Sequence, residues 1–248
     1  MIMRRYFSIL LILFLFSCCD VSTLSDADAK NIEKLKVHIQ IKDGDREDAL
    51  NQIKVVLTDG KKKIINENIK VLLNGFPMEL YVKNELYYTK TSFYRTDSLR
   101  RSDSYYFEII LPDSTTYPLA YIKPMIQNRN TEFNIPERIS TNEDFVFNWN
   151  HLYTPHHLEF QKGTLVIKET SENITQHGFG ERQMDTLKAP SGNYTIPKSY
   201  FNDSLTIPTR LEIKLERIEY GLTNPKLIKN STIEYNRTLE KTIHFDEN

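Results

Sequence analysis

The sequence predicts an all-β protein in which antiparallel sheets stack into two consecutive sandwiches. Three observations carry this. Apolar residues recur with a period of two over segments of about five to seven residues. Turn-forming pairs separate those segments, and after Lys30 no stretch carries an apolar stripe at helical spacing. A period of two buries one face of each strand, so the buried faces must meet across stacked sheets.

In the first set, Val37, Ile39 and Ile41 alternate with Lys36, His38, Gln40 and Lys42. Ile53, Val55 and Leu57 come next, then Ile69, Val71 and Leu73, then Tyr105, Phe107, Ile109 and Leu111, and finally Tyr117, Leu119 and Tyr121. Asp43-Gly44, Asp59-Gly60, Asn74-Gly75 and Pro112-Asp113-Ser114 supply the turns between them. The second set opens with Phe145, Phe147 and Trp149. Leu165 and Ile167 follow Gly163, and Tyr194 and Ile196 follow Ser191-Gly192-Asn193. Leu211, Ile213 and Leu215 alternate with Glu212, Lys214 and Glu216, and Ile243 and Phe245 close the chain. The polar segment from Met125 to Pro136 separates the sets. This order gives a leader at 1–17, a tether at 18–33, a first sandwich at 34–125 and a second at 126–248.

The leader has its own chemistry. Arg4 and Arg5 precede an apolar run from Tyr6 to Phe16, which ends in Leu15-Phe16-Ser17-Cys18. About eleven apolar residues rise about 16 Å as a helix, against a bilayer core of roughly 30 Å, so the run suits export and not a lasting span. Leu15-Phe16-Ser17-Cys18 resembles the lipobox read by lipoprotein signal peptidase. That resemblance implies a diacylglyceryl thioether on Cys18, a bacterial envelope location, expected at the outer membrane, and a chain held to the membrane by lipid. Without lipidation the same run reads as an ordinary cleaved signal or an uncleaved anchor. The only two cysteines are Cys18 and Cys19. If Cys18 is acylated, no disulfide framework is available, and hydrophobic cores must stabilise the exported chain.

Phe145-Val146-Phe147-Asn148-Trp149 resembles the second strand of fibronectin type III and related immunoglobulin-like domains. This implies two immunoglobulin-like sandwiches, with Trp149 packed between sheets.

Charge excludes one class of partner. Without Arg4 and Arg5 the chain carries 30 basic against 33 acidic residues, a net charge of −3. Nucleic-acid binding needs a basic stripe, and Lys61-Lys62-Lys63 is the only basic triplet, placed where a solvated hairpin end is expected.

Several constellations have a functional and a plain reading. Tyr87, Tyr88, Phe93, Tyr94, Tyr105 and Tyr106 form an aromatic-rich stretch that suits a platform for a protein or glycan, although alternation turns half of them inward. His151, His156, His157 and Glu159 carry metal-ligand chemistry, and a polar loop accounts for the same residues. Asp43 to Asp48 places several carboxylates in one turn, without the spacing of a calcium loop and with Arg46 among them. His177-Gly178-Phe179-Gly180-Glu181-Arg182 is glycine-punctuated but precedes no helix, so it reads as a mobile loop and not a phosphate cradle. Asp97-Ser98-Leu99, Asp113-Ser114-Thr115, Asp185-Thr186-Leu187 and Asp203-Ser204-Leu205 resemble acceptors of a bacterial O-glycosylation system, each expected near a turn. Neither a Gly-x-Ser-x-Gly elbow nor a His-Glu-x-x-His helix occurs. The expectation is a non-catalytic binding or assembly module without a cofactor. The alternatives are a metal- or carboxylate-dependent hydrolase of an envelope or surface polymer, and a structural spacer.

Overall fold

The computed structural model describes residues 30–43, 51–60, 62–84, 90–99, 102–125, 132–152, 156–167, 175–202 and 206–245. The leader, Cys18, Tyr87, Tyr88, Asp45 to Asp48 and Asp203-Ser204-Leu205 lie outside them. The chain is all-β, and no helix among the described residues is long and apolar enough to cross a membrane.

Eight strands lead the chain: β1 (Lys36–Asp43), β2 (Asn51–Thr58), β3 (Lys70–Leu73), β4 (Phe76–Pro77), β5 (Glu79–Asn84), β6 (Lys90–Leu99), β7 (Tyr105–Ile110) and β8 (Thr116–Ile122). Eight more follow: β9 (Glu132–Asn134), β10 (Arg138–Ile139), β11 (Phe145–Asn150), β12 (His156–Ile167), β13 (Thr175–Phe179), β14 (Gln183–Leu187), β15 (Gly192–Ile196) and β16 (Ile207–Tyr220). The short β17 (Leu222–Thr223) and the long β18 (Thr232–Phe245) end it.

Two compact units result. Of the described residues, the first takes those up to Asp43 and those within Asp48–Pro124 and Glu219–Tyr235; the second takes those within Met125–Ile218 and Asn236–Asn248. Residues 219–235, which a linear division assigns to the second sandwich, therefore pack within the first unit.

In unit 1 the antiparallel run β5–β6–β2–β1 is joined by the start of β18, and a second sheet has the order β17–β8–β7–β3–β4. The core draws from both. Val37, Ile39, Ile41, Ile53, Val55, Leu57 and Tyr94 come from one sheet, and Val71, Leu73, Phe107, Ile109, Leu119 and Ile122 from the other. Alternation explains the set: β1 reads as buried at every second residue from Val37 to Asp43. The last of these is polar, and the buried Asp43 accepts a 2.6 Å hydrogen bond from the Tyr235 hydroxyl. The Asp59-Gly60 turn behaves as expected, with the Asp59 carboxylate accepting from the Lys62 amide.

In unit 1 the pattern fails on β8. Tyr121, expected to face inward with Leu119, is 40% exposed, and its neighbour Ala120 is buried instead. The β7–β8 register shifts between Phe107 and Glu108. A bulge of this kind flips every later side chain to the opposite face.

In unit 2, β15–β11–β9 forms one sheet. The other runs β13–β12–β16 and takes in the end of β18, with β14 also pairing β12 and β10 pairing β18 in parallel. Phe145, Phe147, Trp149 and Ile196 meet Leu158, Phe160, Leu211, Ile213 and Leu215 in its core. Trp149 is buried, and its indole N–H donates to the Ala189 carbonyl at 3.0 Å. The segment expected as a mobile glycine loop is divided: His177, Gly178 and Phe179 belong to strand β13, paired antiparallel with β12 from Gly163 to Ile167, and Gly180 to Arg182 connect β13 to β14. Ladder hydrogen bonds outweigh the punctuation here, and Gly178 faces Thr164 closely enough that a Cβ would lie 3.3 Å from its hydroxyl.

Candidate functional site

Alternation divides the aromatic stretch. Tyr94 and Tyr105 are core residues. The Tyr94 hydroxyl donates to the Ile69 carbonyl at 2.9 Å, and burial pushes its phenol well above the ordinary range. Tyr105 packs against Tyr235 with ring centroids 6.0 Å apart, and its hydroxyl oxygen accepts from the Ser102 amide. Their neighbours Phe93 and Tyr106 face the other way, on different sheets.

Tyr106 belongs to an exposed row. Leu222 on β17 pairs with Tyr121 on β8, and Tyr121 pairs with Tyr106 on β7. All three point to solvent, with Leu222 75% exposed and Tyr106 39%. Asn74 ends the row and fixes it: its amide donates to the Tyr106 carbonyl, and its side-chain oxygen accepts from the Tyr106 amide, both at 2.8 Å. At the other end Gly221 lets the chain lie against β8, because a Cβ there would strike the Tyr121 carbonyl oxygen. Phe76 on β4 is exposed as well. An antiparallel sheet normally presents polar residues on a solvated face, so cross-strand Leu–Tyr–Tyr is an apolar strip with hydroxyl tips.

Phe93 contributes to a second row, across β2, β6 and β5. The Lys54 ammonium sits 4.6 Å from the Phe93 ring centroid, and Tyr81 stacks on that ring at 5.8 Å with planes 11° apart. The Tyr81 hydroxyl donates to Glu79 at 2.8 Å. Sequence reading missed Tyr81, Tyr121, Leu222 and Phe76. The alternating Glu79-Leu80-Tyr81-Val82-Lys83 carried a signal for the first, whereas Tyr121 depended on the bulge.

The histidine cluster does not come together. His156 and His157 are successive residues of β12, so they project to opposite faces. His156 is buried opposite Leu187, while His157 is exposed. His151 lies in a turn at φ 60°. On the outer face, His157 and Glu159 share a shallow groove of about 290 Å³ with Met184, Thr186, Lys214 and Glu216. Its charges are paired: Arg182 lies 3.2 Å from Glu159 and Lys214 lies 3.8 Å from Glu216, which also accepts from Asn236 at 2.6 Å. No group of three or more His, Cys, Asp or Glu side chains among the described residues is arranged to hold a metal ion. Of the carboxylate turn, Asp43 is committed to Tyr235.

The Asp-Ser/Thr motifs differ in context. Asp113-Ser114-Thr115 forms the β7–β8 turn, with Ser114 at φ 67°. The Thr115 amide and hydroxyl bond the Asp113 carboxylate and hold its pKa below the usual value. Asp97-Ser98-Leu99 ends β6, and Asp185-Thr186-Leu187 lies within β14, paired with β12 and not in the expected turn. Burial, and then a hydrogen bond to Asp185, pushes the Tyr194 phenol up.

Fold and surface thus define an all-β, sandwich-like protein with solvent-facing aromatic rows on unit 1. No known protein-family model matches the chain, and no curated protein does.

Proposed function

We propose that this chain is a lipid-anchored lipoprotein of the bacterial cell envelope, held at the outer membrane through Cys18, whose immunoglobulin-like sandwiches act as a non-catalytic binding or assembly module. The observation that carries the binding role is the Leu222–Tyr121–Tyr106 row. Tyrosine suits recognition because each ring brings apolar area at low entropic cost and keeps a hydroxyl for hydrogen bonding. A protein or glycan partner fits such a strip, and the net charge makes nucleic acid a poor one. The opposed directions of His156 and His157 favour this reading over a metal-dependent hydrolase.

Two experiments test it. Cys18→Ser should abolish labelling by a fatty-acid precursor and move the chain from the membrane to the soluble fraction; unchanged partition would remove the anchor. Crosslinked envelopes from cells carrying the natural chain, compared with Tyr106→Ser/Tyr121→Ser, should lose a reproducible partner, or an immobilised glycan panel should lose a signal. A natural chain that captures nothing in either format ends the binding reading.

A further inference from the structure

β5 is the end strand of its sheet: β6 pairs with one side, and among the described strands nothing pairs with the other. All six β5–β6 partners, from Glu79↔Arg95 to Asn84↔Lys90, are in unbroken register. The strand contains no proline or glycine, and five of its six residues are exposed. Tyr81 and Val82 keep 39% and 48% of their surface in solvent. An edge strand with these features can extend its sheet by pairing with another extended chain.

The side chains say which chain. Glu79, Tyr81 and Lys83 share one face of β5, and Leu80, Val82 and Asn84 share the other. The first face is a charge palindrome, with an acid two residues before a tyrosine and a base two residues after it. We infer that β5 pairs antiparallel with β5 of a second copy of this chain about a two-fold axis at Tyr81. Glu79 then lies opposite the partner's Lys83, Lys83 opposite the partner's Glu79, and Tyr81 opposite its own counterpart. On the reverse face Leu80 meets the partner's Val82, which covers an otherwise exposed side chain.

The contact is isologous, so it closes as a dimer and does not propagate. It also continues a ladder already built: Lys54, Phe93 and Tyr81 stack toward the open edge, and the partner's Tyr81 is the next ring. A lysine on an edge strand commonly deters pairing. Here Lys83 deters only the wrong arrangements. Parallel pairing in register sets Glu79 against the partner's Glu79 and Lys83 against the partner's Lys83, and a slip of two residues separates both ion pairs and the rings. One short strand pair buries little area, so the dimer is weak in solution. Neither the lipid anchor nor the Tyr106 row is needed for it.

Sedimentation of the full chain in mild detergent, over a wide concentration range, tests the inference. The natural chain should show a reversible monomer–dimer equilibrium. Lys83→Glu and Glu79→Lys each turn two attractive cross-strand pairs repulsive and should weaken dimerisation about tenfold. The double variant Glu79→Lys/Lys83→Glu restores the palindrome and should recover it. Far-UV circular dichroism confirms that each variant keeps its strands. Tyr81→Cys supplies an independent readout: facing residues of an antiparallel pair lie about 4.5–5.5 Å apart at Cα, within disulfide reach. Mild oxidation should give a dimer whose peptide map joins Cys at 81 to Cys at 81. A chain that stays monomeric throughout, a dimer indifferent to all three charge variants, or oxidised links at Cys19 alone would overturn it.

Discussion

Single residues show where close packing decides. Gly192 on β15 pairs with Trp149, and a Cβ there would lie 2.8 Å from the indole Cζ2. Gly192→Ala should cost about 1–3 kcal/mol through overpacking. In a Trp149→Phe background the added methyl has room, so the second change should cost less than in the natural chain; equal costs in a urea-denaturation cycle would refute the clash. Tyr94 makes a pH-dependent contribution. Burial raises its pKa in the folded state, so its stabilisation is complete below the unfolded phenol value of about 10 and is lost as pH climbs from there through the folded value. Urea midpoints measured on the alkaline side should fall with rising pH, and Tyr94→Phe should flatten that slope. At neutral pH the same variant loses the bond to the Ile69 carbonyl, leaving a buried acceptor unmet at a cost of about 1–3 kcal/mol.

At the scale of the strand, alternation was legible because it is local. Val37 to Ile41, Ile53 to Leu57, Phe145 to Trp149 and Leu211 to Leu215 all bury the residues that a period of two selects. Two things were not local. The bulge between Phe107 and Glu108 depends on how β7 meets β8, and it moves Tyr121 from the core to the surface. Pairing of Thr175–Phe179 with β12 turns the first half of a glycine-punctuated run into a strand. The exposed aromatic rows were only half legible for the same reason: sequence placed Phe93 beside Tyr94 and Tyr105 beside Tyr106, but partners on β5, β8 and β17 complete the rows. The two faces of β7–β8 make this measurable. Phe107→Ala empties a fully buried site and should cost about 3–5 kcal/mol. Tyr121→Ser, one register step away on the outer face, should stay within about 0.5 kcal/mol while impairing partner capture. A large loss of stability at Tyr121 would mean that its ring belongs to the core.

Across the whole chain, the route of the backbone matters more than the count of sandwiches. Unit 1 is finished by residues that follow almost all of unit 2 in sequence. Leu227, Ile233 and Tyr235 belong to its core. The Ser231 hydroxyl accepts from the Val37 amide, Ile228 donates to the Leu35 carbonyl, and Asn224 donates to Leu119 through its backbone and to Pro118 through its side chain. A hydrophobic pattern cannot reveal this, because it specifies faces and leaves neighbours open. The consequence is a folding dependence. A fragment ending at Pro124 lacks three core side chains, β17 and the strand that pairs with β1, and it leaves the buried Asp43 carboxylate without the Tyr235 hydroxyl. Deleting one large core side chain already costs about 2–5 kcal/mol, against a total stability of about 5–15 kcal/mol for a domain. Residues 30–124 alone should therefore unfold without a cooperative urea transition and be cut rapidly by protease. The same fragment joined through a flexible linker to residues 219–235 should regain both cooperativity and resistance. If residues 30–124 unfold cooperatively by themselves, the returning segment decorates a self-sufficient sandwich and does not complete it.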